Sequence, residues 1–144
     1  MGVLEQLSAI GLPLGDAFQM RDDILGVFGE SSVTGKPAGD DLREGKPTPL
    51  LALTTELASP AQQEVLNKVG RPGITAADIG DIQEVIQLTG ALQTMEDRIT
   101  QLTAESVSHL SGLSLGTEAI DQFKALAHLA VSYTHLTLPT KRIV

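Results

Sequence analysis

The spacing of apolar residues is the feature that most constrains what this chain can fold into. Apolar side chains recur three or four positions apart, which is the period of a helix with one buried face, and no convincing strand alternation precedes residue 117. In the first stretch these positions are Leu4, Leu7, Ile10, Leu14, Ala17, Ile24, Leu25 and Phe28. The pattern predicts an all-α fold, an antiparallel bundle of helices joined by short loops.

Helix starts are marked by capping residues. A hydroxyl residue followed by proline stands at positions 48–49 and again at 59–60, which predicts helices over residues 49–58 and 60–69. Thr75 opens a third helix that ends near residue 90 and buries Ile79, Ile82, Val85 and Ile86. A fourth carries Leu92, Met95, Ile99, Leu102 and Val107.

Other segments break or leave the helical pattern. Pro13 predicts a kink or a boundary near Gly11, which leaves residues 14–28 as the firmer helix. Residues 29–46 are polar and rich in glycine, which is typical of a loop. The last regular helix is predicted over residues 117–130.

The C-terminal segment differs in composition from the rest. Residues 131–144 are rich in threonine and locally basic, and we expect them to be a non-native or disordered tail without a functional role. Residues 1–130 are then expected to belong to one domain.

Composition excludes several classes of protein. The formal net charge of −8 disfavours nucleic acid and anionic lipid as partners, and the absence of cysteine excludes disulfides and thiolate zinc sites. No apolar run approaches the roughly 20 residues that a membrane span needs. We therefore expect a cytoplasmic protein with a core of aliphatic side chains.

One helical face is polar where a core stripe would be apolar. Gln19 and Asp22 share this face with Gly15 and Gly26, and Asp23 lies at its margin. Carboxylate and amide oxygens beside glycines are suited to a hydrated cation such as Mg²⁺. The alternative is a solvated surface on which the two aspartates have no ligand.

The polar loop adds the opposite charge. Lys36 and Lys46 follow the carboxylate helix on a glycine-containing segment, and backbone N–H groups around Gly35 would form a concavity for an anion. Carboxylates for a metal and lysines for phosphate are the two halves of a metal–diphosphate site. The same segment would otherwise be a solvated connector.

These motifs together resemble a known family. A resemblance to the second aspartate-rich motif and the following loop of trans-isoprenyl (polyprenyl) diphosphate synthases is carried by Phe18-Gln19-Met20-Arg21-Asp22-Asp23 and by Thr34-Gly35-Lys36. Within that family, the sequence most resembles bacterial geranylgeranyl or farnesyl diphosphate synthases. The specific match covers residues 11–52, and the later helices match only in general pattern. The resemblance implies the isoprenoid synthase fold, of which this chain would be an incomplete C-terminal part.

The resemblance also implies a metal site. Asp22 would coordinate Mg²⁺ directly, and Asp23 would support that site and its waters. The family motif usually closes with a third aspartate, and Gly26 stands at that position here, so one outer carboxylate is expected to be missing.

The remaining site residues follow from the same resemblance. Lys36 and Lys46 would hold the allylic diphosphate, and Asp40 would lie near the same cluster of charges. Phe18 and Gln19 would border the reacting carbons where isopentenyl diphosphate adds.

The implied reaction is Mg²⁺-dependent head-to-tail condensation of isopentenyl diphosphate with an allylic diphosphate, by a prenyltransferase that is typically a homodimer. The first aspartate-rich motif is expected upstream of Met1, so the chain alone is expected to be inactive, and product chain length is hidden. Two alternatives remain: a non-catalytic helical subunit that regulates or binds a complete synthase, and a generic acidic helical protein whose Asp-Asp pair is a surface coincidence.

Overall fold

The computed structural model describes residues 2–29, 38–110 and 116–137, and no strand occurs within these ranges. The all-α prediction is therefore confirmed. The helices of the described ranges are α1 (Val3–Phe28), α2 (Asp40–Glu44), α3 (Pro49–Leu57), α4 (Pro60–Leu66), α5 (Ala76–Leu88), α6 (Ala91–Ser108) and α7 (Thr117–Thr137).

The helices form two compact units, and the chain passes between them within α1 and within α6. The first unit contains α1 up to Arg21, α6 from Glu96 onward and α7 as far as Leu136. The second contains α1 from Asp22 onward, helices α2 to α5 and α6 up to Met95.

The first unit combines an aliphatic core with buried polar contacts. Arg21 on α1 is almost fully buried, and its Nε donates a hydrogen bond of 2.9 Å to the carbonyl oxygen of Ala130 on α7. Its Nη1 forms an ion pair with Glu96 on α6. The hydroxyl of Ser106 donates a 2.7 Å hydrogen bond to the carbonyl oxygen of Ile10. The apolar core of this unit contains Ile10, Leu14, Ala17, Ile99, Leu102, Leu110, Ala127 and Ala130.

The second unit packs the end of α1 against α2 and α5. The amide of Gln83 on α5 donates a 2.7 Å hydrogen bond to the carbonyl oxygen of Val27 near the end of α1. Leu42 is fully buried, which anchors the short helix α2 in the core. The other fully buried apolar side chains of this unit are Ile24, Val27, Leu50, Ile82, Ile86 and Ala91.

The predicted helix starts of α3, α4 and α5 are confirmed because each depends on a local hydrogen bond. Thr48 accepts from the backbone N–H of Leu51, and Ser59 and Thr75 each take part in a complete capping box. Helix α5 also buries the four apolar residues predicted to form its inner face. Helix α4 ends at Leu66, earlier than predicted, with Asn67 as its C-terminal cap.

In three places helical structure extends further than the sequence predicted. Helix α1 continues through Pro13, because the ring removes one N–H donor while buried neighbours such as Ile10 and Leu14 still pack. The predicted loop contains α2. Helix α7 runs to Thr137 rather than ending at residue 130, and the first proline beyond it is Pro139.

Candidate functional site

Two adjacent carboxylates near the end of α1 lie in different environments. Asp22 is exposed, whereas Asp23 is only 6% exposed. Successive residues on a helix point about 100° apart, so one of the pair faces solvent while the other faces into the unit. The pair therefore offers one accessible carboxylate and one held within the protein.

The buried carboxylate of Asp23 is electrostatically perturbed. Burial raises the pKa of Asp23 above its ordinary value, and the negative charges of Asp22 and Asp41 raise it further. The ammonium of Lys46 acts in the opposite direction and lowers this pKa. The structure therefore brings Asp23, Asp41 and Lys46 within electrostatic reach of one another, and the net balance favours an additional positive charge at this point.

Helix α2 is a single short turn with glycine at both ends. Gly39 and Gly45 have φ angles of 78° and 72°, in the left-handed region that glycine adopts without steric cost. The backbone N–H groups of Gly45 and Lys46 both bond to the carbonyl oxygen of Asp41, with 3.0 Å for the second. This turn directs the chain from α2 to Lys46.

Asp41 packs directly on α1. Its side chain is 5% exposed, and a Cβ atom built on Gly26 would overlap its Oδ2 and lie 2.5 Å from its Cγ. The carboxylate of Asp41 therefore occupies the space that a side chain at position 26 would need. Gly26 is one helical turn beyond Asp22 and Asp23, and the charge of Asp41 raises the pKa of Asp23, so Asp41 lies near the buried aspartate.

Lys46 is the cation of this cluster. Its Nζ lies 3.8 Å from Oδ2 of Asp41, and its side chain is 46% exposed. An ammonium has three N–H donors, so an anion arriving from solvent can reach it while the contact with Asp41 persists.

Asp40 belongs to a second acidic grouping on α2. One carboxylate oxygen from each of Asp40, Asp41 and Glu44 lies within 4.8 Å of the others. Asp40 is half-buried, Asp41 is buried and Glu44 is exposed, so this grouping extends from the protein interior to its surface.

The other predicted residues are distributed more widely. Phe18, half-buried, and Gln19, exposed, lie on the part of α1 that belongs to the first unit. Lys36 lies outside the described residues, together with Thr34 and Gly35.

Two residues of structural importance were missed by the sequence analysis. Asp41 was treated as part of a polar loop, although its position five residues before Lys46 and next to Asp40 was visible. Arg21 lies inside the recognised motif, yet its partners on α6 and α7 are far away in sequence. No local pattern identifies either contact.

The residues present fit a divalent cation with oxygen ligands. Asp22 offers an accessible carboxylate, and Asp23 has a raised pKa because it is buried near further negative charges. A bound cation would offset both the burial and the repulsion. A donor set of carboxylates without histidine or cysteine suits Mg²⁺ better than zinc.

Comparison with known proteins identifies the family. The family model of polyprenyl synthetase matches residues 2–89, which is more than half of the chain and includes α1 through α5. The chain belongs to the polyprenyl synthetase family. The resemblance that the aspartate-rich segment indicated is thereby confirmed, and with it prenyl diphosphate synthesis as the general activity of the family.

Relatives with known names agree with this family. The chain is 31% identical to a geranylgeranyl diphosphate synthase of Saccharolobus solfataricus over 129 residues, which cover 89% of this chain and 38% of that protein. It is 38% identical to a geranylfarnesyl diphosphate synthase of Aeropyrum pernix over 65% of this chain and 29% of that protein. The chain thus spans about a third of the length of these polyprenyl synthetase relatives.

A solved structure confirms the isoprenoid synthase fold. The geranylgeranyl pyrophosphate synthase of Corynebacterium glutamicum, solved with isoprenyl diphosphate and magnesium, matches with a TM-score of 0.84 and 44% identity, over 88% of this chain and 36% of that one. Among the described residues of this polyprenyl synthetase chain, no helix is long and apolar enough to cross a membrane.

Proposed function

We propose that this chain supplies the second aspartate-rich motif of a polyprenyl diphosphate synthase. The proposed reaction is the Mg²⁺-dependent head-to-tail condensation of isopentenyl diphosphate with an allylic diphosphate. The observation that carries the proposal is the cluster of Asp23, Asp41 and Lys46 beside the accessible Asp22, in which burial and like charges raise the pKa of Asp23. The C. glutamicum relative, whose structure contains isoprenyl diphosphate and magnesium, supports it.

In this proposal Asp22 holds Mg²⁺ directly, and Asp23 supports the same ion. The metal would stabilise the negative charge that develops on the departing diphosphate. Asp22 is suited to this role because its carboxylate is exposed. Asp23 is suited to it because its side chain is buried and therefore held in place.

The lysines hold the diphosphate in the same proposal. The half-exposed ammonium of Lys46 donates to phosphate oxygens, and Lys36 is assigned the same role from the sequence motif. Phe18 and Gln19 border the reacting carbons where isopentenyl diphosphate adds, and Asp40 contributes to the charge balance near Lys46. An apolar helical surround would keep water from the allylic carbocation.

Direct binding tests this proposal. Isothermal titration calorimetry of the chain with geranyl diphosphate, with and without Mg²⁺, should show binding that requires the metal. Asp22→Ala should weaken Mg²⁺-dependent binding by at least about 10- to 100-fold, the loss typical of removing groups around a metal site. Lys36→Ala should also weaken Mg²⁺-dependent binding.

The matched control is Asp81→Ala, which removes an exposed carboxylate from α5 in the same unit. Its affinity should equal that of the unmodified chain. Binding that ignores both Mg²⁺ and Asp22→Ala would leave the carboxylates as surface coincidence and overturn the proposal.

Cytoplasmic location and homodimer formation belong to the same proposal. The absence of cysteine agrees with a reducing compartment, and the typical behaviour of the family supports a dimer. Sedimentation equilibrium of the chain would measure the mass of the assembly, and a monomer at all concentrations would contradict dimer formation by this part of the protein.

A further inference from the structure

Oδ2 of Asp41 lies between Gly26 and the ammonium of Lys46. It is the atom that a Cβ on Gly26 would overlap, and it is also the atom that lies 3.8 Å from Nζ of Lys46. Any side chain at position 26 would therefore displace the carboxylate oxygen that faces the lysine. The absence of a side chain at position 26 and the position of Lys46 are thus linked through a single atom.

The contact between Asp41 and Lys46 is poorly suited to stabilising the fold. Asp41 is 5% exposed, so its charge is largely removed from water, whereas the Lys46 side chain is 46% exposed and the ion pair is long. Ion pairs with an exposed partner contribute little to stability. This pair alone therefore does not offset the burial of the Asp41 carboxylate. The contact is better suited to holding the Lys46 side chain in place.

Asp41 also determines where the backbone of Lys46 lies. Its carbonyl oxygen accepts hydrogen bonds from the N–H groups of Gly45 and Lys46 at the end of α2. The same residue therefore fixes both ends of Lys46, the main chain through its carbonyl and the ammonium through its carboxylate.

We propose that Asp41 is a positioning residue for Lys46 and that Gly26, which has no side chain, leaves the space that the Asp41 carboxylate occupies. The carboxylate packs against α1 at Gly26 and holds the lysine ammonium within electrostatic reach of Asp23, where a diphosphate would bind. The inference rests on the proposed function, because it takes Lys46 as a diphosphate-holding residue. Gly26 then has a role of its own and is more than the loss of a third aspartate.

The direction in which one substitution changes anion affinity distinguishes positioning from simple electrostatics. Asp41→Asn keeps the shape of the side chain and removes its negative charge. If Asp41 acted only by its charge, the variant would bind an anion more tightly, because a repulsive charge is gone. If Asp41 positions Lys46, the variant binds the anion more weakly.

The experiment measures binding of inorganic pyrophosphate in excess Mg²⁺ by calorimetry. Asp41→Asn should weaken binding by about tenfold, within the range of coupling between contacting residues. Asp81→Asn is the control, since it removes the same charge from an exposed carboxylate on α5 of the same unit, and it should not weaken binding. Gly26→Ala should weaken binding in the same direction as Asp41→Asn. Circular dichroism confirms that each variant is folded.

A second measurement repeats Asp41→Asn in a Lys46→Gln background. The effect of Asp41→Asn should disappear there, because the lysine it positions is gone. A loss of the same size in both backgrounds would mean that Asp41 acts on the metal or the fold, and would overturn the inference. Unchanged or tighter binding in Asp41→Asn alone would overturn it as well.

Asp22→Ala separates this inference from the proposed function. If Asp22→Ala abolishes Mg²⁺-dependent pyrophosphate binding while Asp41→Asn leaves it intact, only the positioning role fails. If neither Asp22→Ala nor Lys46→Gln changes binding, the proposed function fails and the positioning role fails with it.

Discussion

Replacing Arg21 tests how the first unit is held together. Arg21 is 4% exposed, donates from Nε to the carbonyl oxygen of Ala130 at 2.9 Å and forms an ion pair with Glu96 through Nη1. A single side chain on α1 thus joins α6 and α7. Arg21→Ala removes both contacts and leaves a volume that water or neighbouring side chains must fill.

The magnitude follows from these contacts. A hydrogen bond to a charged group contributes about 1.5–3 kcal/mol, and breaking a buried ion pair costs about 3–5 kcal/mol. The Glu96 side chain is 15% exposed and can partly rehydrate, which favours the lower end of that range. We expect Arg21→Ala to lower the free energy of unfolding by about 3 kcal/mol. Arg21→Lys should lose roughly half as much, because lysine keeps the charge but lacks the planar fork.

Urea denaturation followed by circular dichroism measures this loss. With a slope of about 1–3 kcal/mol per molar urea, a loss of about 3 kcal/mol lowers the midpoint by about 1–3 M. The matched control is Arg98→Ala, which removes an exposed arginine from α6 and should change stability by less than about 0.5 kcal/mol. A loss below about 1 kcal/mol for Arg21→Ala, or an equal loss for Arg98→Ala, would refute the reasoning.

Two further predictions concern glycine and pH. Gly45→Ala should lower the free energy of unfolding by about 1–2 kcal/mol, because φ is 72° and the new Cβ would lie 2.9 Å from Cα of Gly70. Gly80→Ala on α5 should instead raise the free energy of unfolding by about 0.5–1 kcal/mol, because its Cβ would meet no atom within 4 Å. Urea denaturation that shifts the stability of both variants in the same direction would contradict these two predictions. The backbone N–H of Thr75 lowers the pKa of Asp78, so this carboxylate adds stability that is present above its ordinary pKa and lost as pH falls through the lowered value. Melting temperatures should therefore fall more steeply in acid for the unmodified chain than for Asp78→Asn, and equal pH slopes would count against the capping role.

The sequence predicted those parts of the fold that depend on neighbours a few positions away. The caps at Thr48, Ser59 and Thr75 form hydrogen bonds to residues three positions along the chain, and the structure contains all of them. The buried face of α5 follows from helical periodicity in the same way. The aspartate-rich segment identified the family for a related reason, since its residue types and spacing are local.

Extents of helices were predicted less well because packing outweighs local preference. Pro13 weakens one turn of α1, but the apolar residues on both sides are buried and the helix continues. Leu42 is fully buried, and this burial favours a helical turn in a segment whose composition is typical of a loop.

The same distinction between local and tertiary contacts applies to the candidate site. The sequence by itself determined the adjacent Asp22 and Asp23 and the presence of Lys46 on a glycine-rich segment. Only the tertiary structure decided that Asp41 lies on Gly26, that it faces Lys46, and that Asp23 is buried among these charges. Likewise Arg21 and its partner Ala130 are separated by 109 positions. Periodicity and capping describe contacts within a turn of helix, whereas these contacts depend on which helices pack together, and that is a property of the folded chain.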